Sequence, residues 1–520
     1  MKIIKSTLLI TFCFLLISCG STKIPTKTNS TPQVVKNTEV KFLINLNDRT
    51  DDTFKVKITA PDLTSDNNIF QFASTAPGTY QVMDIGRFVR SFIAMDEKGN
   101  LITTTRISTN QFEISEPEKV RTIIYDIAET FDNPVQENPI YIMCGTSIED
   151  NHSLINGQAV FGYFKGMQSN KINLKIEYPS DWIAGTALKL NEDGSYTANS
   201  FDQLVDSPIL LGNLTKASTN IEGTTVDIFT YSPRGMVQSK QVLATIEGML
   251  RSASKFLNGL PVDRYTFLLH FETNNMNPKG AWEHSYSSGY TFNEKPWNEI
   301  SKAFKDTAAH EFFHIVTPLN IHSEIIHEFN FIEPVPSRHL WLYEGTTEWA
   351  SHMMLLRSGE KSLDDYLNTL RRKVFISTKY FDDELSLLDL SLKSYEKETH
   401  KQYANIYQRG ALIAGMLDIK LLELSNGSKG LIDYINELAK VYGPDKPFED
   451  ATFFDEFVKF TFPEIEEFMN LYVKNGGALP LEEFYAKLGI TFDAKEFLFE
   501  VNENATDQQV YLRKQWMKAL

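Results

Sequence analysis

A short run in the middle of the chain combines two histidines and a glutamate at helical spacing. The run is His310-Glu311-Phe312-Phe313-His314, or HExxH, in a context typical of a helix. Residues four apart lie on one face of a helix, so both imidazoles can bind the same metal ion. Glu311 can approach a water molecule beside that ion without binding the ion itself. The motif therefore predicts metal-assisted hydrolysis, with His310 and His314 as ligands and Glu311 as the catalytic base.

A catalytic zinc site needs a third protein ligand and an open position. One class of HExxH proteins takes a histidine six residues after the second His, but Asn320 stands there, and Thr317 occupies the glycine position of that class. The other class takes a glutamate from a following helix, and Glu344 lies in such a segment, Trp341-Leu342-Tyr343-Glu344-Gly345. We therefore expect Glu344 to complete a zinc site, although the same donors would also hold cobalt or manganese.

Glu348 follows Glu344 by one helical turn and is expected on the same helix face. Its carboxylate either accepts a ring N–H of a zinc-binding histidine or lies in solvent, and the sequence leaves both interpretations open. Other histidines lack ligand spacing, and we expect them to be ordinary polar or packed residues. These are His152, His270, His322, His327, His339, His352 and His400.

The segments before the motif predict strands, and those around it predict helices. Over residues 39–215 short runs alternate apolar and polar residues between turn signals, which predicts an N-terminal, all-β, sandwich-like domain. Residues 216–490 mix strand-like and helix-like runs and become mostly helical after Glu299, which predicts an α+β, helix-rich catalytic domain. Residues 491–520 are expected to be a C-terminal extension.

The first residues predict export. Two lysines precede an apolar run that is too short to span a bilayer, and Leu16-Ile17-Ser18-Cys19-Gly20 resembles a bacterial lipobox. We expect residues 1–18 to be a lipoprotein signal peptide, Cys19 to carry the lipid and residues 19–38 to be a flexible tether. The alternative is an ordinary secretory signal that is cut nearby.

The expected location is the bacterial cell envelope, with a lipid anchor in the membrane. The periplasmic face of the outer membrane is favoured, because no Asp follows Cys19 to retain the protein in the inner membrane. Nucleic acid is not an expected partner, since a formal net charge of -16 repels phosphate backbones. With Cys19 lipidated, Cys144 stands alone in the mature chain, so no intrachain disulfide is expected.

These motifs resemble those of the glycyl aminopeptidase family of zinc metallopeptidases, peptidase family M61 of the gluzincin clan, over residues 40–490. The resemblance implies a thermolysin-like catalytic domain that removes small residues, Gly or Ala, from peptides with a free N-terminus. Besides HExxH, the segments that carry the resemblance are Pro77-Gly78-Thr79-Tyr80 with Asp84 and Arg87, Leu204-Val205-Asp206-Ser207-Pro208-Ile209 with Gly212, Gly280-Ala281-Trp282-Glu283-His284, Trp341 with Glu344-Gly345, and Tyr407-Gln408-Arg409-Gly410-Ala411-Leu412.

The resemblance also implies roles outside the metal site. Glu283, with Gly280 and Trp282 beside it, would bind the free α-amino group of the substrate, whereas without the family it would be a plain surface acid. Tyr407 would donate a hydrogen bond to the developing oxyanion, and its other interpretation is a tyrosine packed on its helix. Two rival hypotheses stay open. One is a metallo-endopeptidase in which Glu283 only lines the cleft, and the other is a lipid-anchored, non-catalytic binding module with a residual metal site.

Three features depart from the family pattern. Val316-Thr317 stand where an aromatic-Asn pair is common, so the wall behind His314 is expected to differ. About thirty residues follow Ile490, too few for the PDZ domain at the end of many members. The expected lipid anchor is a feature that cytosolic relatives would lack. The preferred N-terminal residue, the oligomeric state and the physiological substrate stay open.

Overall fold

A computed structural model describes residues 37–133, 137–273 and 280–520. The signal peptide, the lipidated Cys19 and the tether up to residue 36 are predictions that lie outside the described residues. Within the described ranges, no helix combines the length and the apolar composition needed to cross a membrane.

The first part of the chain is rich in strands, which confirms the predicted β fold. In its first strand, alternate side chains are buried, as expected where one sheet face covers a core. The elements of this β module are β1 (Val40–Asn45), β2 (Thr53–Thr59), β3 (Ile69–Phe72), β4 (Val89–Met95), β5 (Leu101–Ile102), β6 (Thr104–Arg106), β7 (Gln111–Ile114), β8 (Thr122–Ala128), β9 (Ser147–Ile148), β10 (His152–Ile155), β11 (Gly162–Phe164), β12 (Ile172–Glu177), β13 (Ile183–Thr186), β14 (Lys189–Leu190), β15 (Tyr196–Ala198), α1 (Phe201–Val205) and β16 (Ile209–Gly212).

Three sheets make up the β module. An eight-stranded sheet has the order β14-β15-β12-β1-β2-β8-β4-β5, and the parallel pair β1 and β12 lies in its interior. Two four-stranded sheets have the orders β13-β16-β10-β9 and β11-β3-β7-β6. Their apolar faces share one core that contains Phe42, Phe72 and Tyr125.

The second part is an α+β module in which helices predominate, again as predicted. Its elements are β17 (Thr215–Ile221), β18 (Thr224–Tyr231), α2 (Ser239–Phe256), β19 (Arg264–Glu272), β20 (Gly280–His284), β21 (Ser287–Asn293), α3 (Trp297–Phe313), α4 (Glu324–His327), a π-helical turn (Trp341–Thr346), α5 (Thr347–Arg357), α6 (Leu363–Tyr380), α7 (Leu387–Leu392), α8 (His400–Tyr403), α9 (Asn405–Leu424), α10 (Leu431–Leu438), α11 (Phe453–Phe460), α12 (Ile465–Phe468), a second π-helical turn (Met469–Val473), α13 (Leu481–Ala486), β22 (Ile490–Asp493), β23 (Leu498–Val501) and α14 (Asp507–Trp516).

A five-stranded sheet, ordered β17-β18-β19-β21-β20, supports the helices of this α+β module. The central strand β19 is buried along nearly its whole length, because parallel neighbours flank it and both of its faces are covered. The helix α3 that carries HExxH packs against α2 and α5. Strand β20 lies at the free edge of this sheet, paired antiparallel with β21.

The two modules are joined by side chains of the second that enter the core of the first. Trp282, Phe329 and Phe331 are buried among the apolar residues of the β module. The backbone carbonyl of Phe331 also accepts hydrogen bonds from the N–H groups of Ser74 and Thr75, at 2.7 and 3.2 Å. These contacts join the two modules through both apolar packing and backbone hydrogen bonds.

The last residues of the chain pack into the core of the α+β module. Trp516, on α14, is fully buried and makes an edge contact with Tyr366, with ring centroids 5.5 Å apart. The backbone carbonyl of Trp516 accepts a hydrogen bond of 3.0 Å from Nε of Arg357. These contacts tie the predicted C-terminal extension to α5 and α6.

We expect Trp516→Ala to destabilise the whole chain, because it removes a fully buried indole. Truncations of this kind cost about 3–5 kcal/mol. Urea denaturation followed by tryptophan fluorescence measures the loss. As a control, Lys518→Ala changes an exposed residue just beyond α14 and is expected to shift stability by less than about 0.5 kcal/mol. Equal midpoints for the two variants would mean that α14 does not contribute to the core.

Candidate metal centre and active-site cleft

Three buried side chains from two neighbouring helical segments converge at the end of α3. His310 lies in the last turn of α3, His314 caps this helix, and Glu344 lies on the π-helical turn Trp341–Thr346. The Nε2 atoms of the two histidines are 3.2 Å apart. Each of them lies 3.5 Å from Oε2 of Glu344. The structure thus brings together the three ligands that the sequence predicts.

The carboxylate of Glu344 points to a cation at this cluster. Its Oε2 atom is buried and has no hydrogen-bond partner in the described part of the chain. A buried polar atom without a partner costs about 1–3 kcal/mol, and more when it is charged. A metal ion among these three donors would satisfy the carboxylate and both imidazoles at once. The residues present therefore fit a bound metal ion.

The Nδ1 atom of each imidazole, on the side away from the cluster, makes a hydrogen bond to the protein. Nδ1–H of His310 donates to Oε2 of Glu348 at 2.7 Å, and Nδ1–H of His314 donates to the backbone carbonyl of Thr317 at 2.9 Å. These hydrogen bonds leave both Nε2 lone pairs facing the centre of the cluster. The wall behind His314, expected to differ from the family pattern, is the backbone of Thr317.

Glu348 belongs to a buried network of charges behind the metal cluster. Its Oε1 atom forms an ion pair with Lys373 and lies 3.2 Å from Nε2 of His352. Although burial raises it, Lys373, His352 and His310 hold the pKa of Glu348 well below its usual value. Glu348 is thus an anionic acceptor for His310 and does not lie in solvent. His352 lies four residues after Glu348, and this helical spacing could have indicated the contact.

Glu311 lies on the side of α3 that lines the cleft. Burial raises the pKa of its carboxyl to about 7, against the opposing charge of His310. A carboxyl in this range can both take and give a proton near neutral pH. Its position and its burial both suit a catalytic base.

A backbone contact between two glycines lets Glu344 and Tyr407 share the site. A Cβ built on Gly410 of α9 would lie 2.7 Å from Cα of Gly345, so the two segments touch without side chains between them. Tyr407 precedes Gly410 by about one turn of α9, and its ring centroid lies 5.5 Å from that of His310. The π-helical turn widens the backbone around Glu344, as such turns often do at functional sites.

Two family models match this chain. The Peptidase M61 N-terminal domain matches residues 41–213, and the M61 glycyl aminopeptidase model matches residues 303–413. Together they cover more than half of the 520 residues. The chain belongs to the M61 glycyl aminopeptidase family. It is therefore a metallopeptidase, and the second match contains HExxH, Glu344 and Tyr407.

Several solved structures share the fold of this M61 chain. An aminopeptidase N family protein from Idiomarina loihiensis aligns with a TM-score of 0.76 at 19% identity, over 90% of this chain and 82% of that one. An M1 zinc metallopeptidase from Deinococcus radiodurans aligns with a TM-score of 0.53 at 12% identity, over 86% of this chain and 95% of that one. No curated protein matches the chain by sequence.

The β module closes one side of the M61 cleft, which has a volume of about 350 Å³. Gly78 and Met143 of that module line the cleft together with Trp282 and Glu283. Gly78 has a positive φ of 78°, and a Cβ there would lie 2.5 Å from Oε1 of Glu283. Gly280, predicted beside the substrate, packs against Met143 and does not line the cleft.

The strand that carries Glu283 is anchored to the β module. Asp206 accepts the backbone N–H of Ser285 at 3.0 and 3.1 Å, and Nδ1 of His284 lies 3.3 Å from the same carboxylate. Trp282 is buried in the core of the β module. Because β20 is an edge strand, these contacts supply the support that a second neighbouring strand would give.

Most of the predicted site residues meet in one cleft, and other residues line it that the sequence did not indicate. The residues that reach the cleft are Trp282, Glu283, His310, Glu311, His314, Glu344, Glu348 and Tyr407. The additional ones are Gly78, Met143, Ala281, Asp306, Thr307, His352, Arg372 and Gln408. Gly78, Ala281 and Gln408 lie in segments that carry the family resemblance, but the sequence assigned them no role in the cleft.

We expect Gly410→Ala to reduce peptide hydrolysis at least 100-fold, because the new Cβ forces α9 away from the turn that carries Glu344. A misplacement of about 1 Å at a catalytic site can cost about 100-fold. Initial rates and metal content of the purified variant measure the effect. The matched control is Gly415→Ala on the same helix, where the nearest atom is the side-chain Oη of Tyr485 at 3.2 Å. Similar rates for the two variants would contradict the role of the glycine contact.

Proposed function

We propose that this M61 metallopeptidase is a zinc-dependent aminopeptidase that removes small residues from the free N-terminus of peptides. The position of Glu283 carries this proposal. One of its carboxylate oxygens lies within 4.8 Å of a carboxylate oxygen of Glu311 and of a ring nitrogen of His314. A substrate whose ammonium group binds Glu283 therefore presents its first peptide bond to Glu311 and the metal ligands.

Zinc is the metal that the ligand set fits best. Two imidazoles and one carboxylate, with a fourth position left open, form the ligand set of many catalytic zinc sites. Tetrahedral zinc with bonds of about 2.0–2.1 Å requires donor atoms about 3.3 Å apart. The separations here are 3.2 and 3.5 Å. When bound, zinc supplies a Lewis acid that acidifies water and polarises the scissile carbonyl.

The side chains of the cleft account for the proton transfers. Glu311 takes the proton of the attacking water and passes it to the leaving amine. Tyr407 donates its hydroxyl to the developing oxyanion. Burial, with the nearby charges of Glu344 and Glu283, raises the pKa of Tyr407 well above its usual value, so the phenol keeps its proton. Glu348 keeps the ring of His310 in the orientation that binds the metal.

The charge of the cleft also favours a substrate with a free ammonium group. Glu283, Glu311 and Glu344 are close together, and no lysine or arginine in the described ranges forms an ion pair with any of them. Burial, Glu344 and Glu311 raise the pKa of Glu283 well above its usual value, so a cation beside it is needed to stabilise its ionised form. Zinc and the substrate ammonium supply such charges.

The walls around Glu283 support exopeptidase over endopeptidase action. Gly78 stands directly against the carboxylate of Glu283 and the indole of Trp282, on the side held by the β module. A peptide that continued past its first residue in this direction would meet these groups.

The proposal also includes a lipid anchor at Cys19 and a location in the cell envelope, and both rest on the lipobox in the sequence.

We expect Glu311→Gln to keep its zinc and to lose most of its activity, because the amide cannot accept the proton of water. The loss should be about 100- to 10,000-fold in kcat. Zinc content and the release of free Gly or Ala from short peptides are the two measurements. Glu299→Gln, an exposed change on the same helix, serves as the control. Full activity of Glu311→Gln on every peptide tested would exclude the proposed mechanism.

We expect Glu283→Gln to impair cleavage of peptides with a free N-terminus while leaving zinc content unchanged. Loss of a buried charge pair with the substrate costs about 2–5 kcal/mol, or roughly 30- to 5,000-fold in kcat/KM. The comparison uses each peptide in free and in N-acetylated form. Acetylated peptides should resist both the wild-type chain and the variant. Their cleavage at an undiminished rate by the wild-type chain would favour the endopeptidase.

A further inference from the structure

A second group of metal-type donors lies outside the cleft, where the two modules meet. His152 is the first residue of β10 in the β module, whereas His270 and Glu272 lie at the end of β19 in the α+β module. None of the three lines the active-site cleft. The sequence predicted both histidines to be ordinary polar or packed residues, because they are far apart in the chain. The fold brings them together.

One carboxylate oxygen faces both imidazoles of this group. Oε1 of Glu272 lies 3.0 Å from Nε2 of His270 and 3.6 Å from Nε2 of His152. The three donor atoms all lie within 4.8 Å of one another. Because side chains two apart on a strand point to the same face, His270 and Glu272 both reach the side of β19 that meets β10.

Both imidazoles are buried, and Nε2 of His152 and both ring nitrogens of His270 lack a hydrogen-bond partner in the described part of the chain. Their side chains are 4% and 1% exposed. Neither Nε2 atom has a hydrogen-bond partner within the part of the chain that the structure covers, and the 3.0 Å contact with Glu272 lacks hydrogen-bond alignment. Each such atom costs about 1–3 kcal/mol if nothing binds it. The two Nε2 atoms and the carboxylate oxygen of Glu272 each offer a lone pair. Their convergence indicates a ligand, such as a metal ion, that accepts all three.

The surroundings hold His152 in a form that can bind a metal ion. Its Nδ1–H donates to Oδ1 of Asn151 at 2.9 Å, and the same oxygen accepts the hydroxyl of Tyr231 at 3.1 Å. The ring of Tyr231 stacks on His152 with centroids 3.8 Å apart. With the proton on Nδ1, the lone pair of Nε2 points towards Glu272.

We propose that His152, His270 and Glu272 form a second metal site, which binds a divalent transition-metal ion such as zinc. Two imidazoles and one carboxylate suit zinc, and a water molecule can fill the remaining position. The ion would link β10 to β19 and so hold the β module against the central sheet. Since the β module supplies Gly78 and Asp206 around Glu283, this link would stabilise the wall of the cleft without touching the substrate.

The test counts zinc ions in the purified full-length chain by elemental analysis. We expect two per chain in the wild type and one in the His310→Gln/His314→Gln variant, whose catalytic ligands are removed. Adding His270→Gln to that variant should remove the remaining zinc. Adding His400→Gln instead, which changes a histidine of α8 away from this group, should leave one zinc per chain.

A second measurement separates metal binding from any effect of the substitutions on folding. In the His310→Gln/His314→Gln background, added zinc should raise the thermal midpoint, and Glu272→Gln should abolish that rise while the circular dichroism spectrum stays native. Glu328→Gln, an exposed acid, should leave the rise intact. The proposal fails if the His310→Gln/His314→Gln chain holds no zinc, or if it holds as much with His270→Gln as without it. Neither outcome depends on peptidase activity, so the aminopeptidase proposal stands or falls separately.

Discussion

The active site depends on a buried cluster of donors that one metal ion would satisfy together. His310, His314 and Glu344 turn three ligand atoms towards one point, and Glu344 keeps an unpartnered oxygen there. Leaving such groups empty is unfavourable, so the surrounding structure must hold them in place against relaxation. The backbone contact between Gly345 and Gly410 does this for Glu344, and Glu348 does it for His310. Metal binding and the packing of α3, α5 and α9 are therefore coupled, because a bound ion would stabilise the same helix arrangement that forms its site.

The β module contributes directly to the active site, because its residues position Glu283. Strand β20 lies at a sheet edge, yet Asp206 and the buried Trp282 attach it to the β module from outside the sheet. Gly78 then approaches Glu283 more closely than any residue with a Cβ could. The residue proposed to bind the substrate amine is thus positioned by contacts between modules. Substrate selection and inter-module packing are therefore coupled, and a metal ion at His152, His270 and Glu272 would strengthen the same interface.

Charge compensation extends outwards from the metal cluster in layers. Glu348 accepts a hydrogen bond from His310, and Glu348 in turn forms an ion pair with Lys373 and contacts His352. The cleft side has no such compensation, because Glu283, Glu311 and Glu344 have no lysine or arginine ion-pair partner in the described ranges. The protein side of the metal is therefore fixed by hydrogen bonds and by the Lys373 ion pair, whereas the substrate side presents carboxyl groups without an ion-pair partner of this kind. This asymmetry suits a reaction in which the metal and a substrate ammonium arrive from the cleft.

The sequence by itself determined what depends on local spacing. Residues four apart on α3 had to share a face, so HExxH predicted the metal ligands His310 and His314, and alternating strands followed by amphipathic helices predicted the order of the two modules. It left open whether Glu348 met a ligand or solvent, and it treated His152 and His270 as ordinary residues. Only the tertiary structure decided those points, and it alone placed Gly78 against Glu283 and Gly345 against Gly410. The reason is physical: such contacts join residues far apart in the chain, and their distances are set by how sheets and helices pack, which local spacing does not encode.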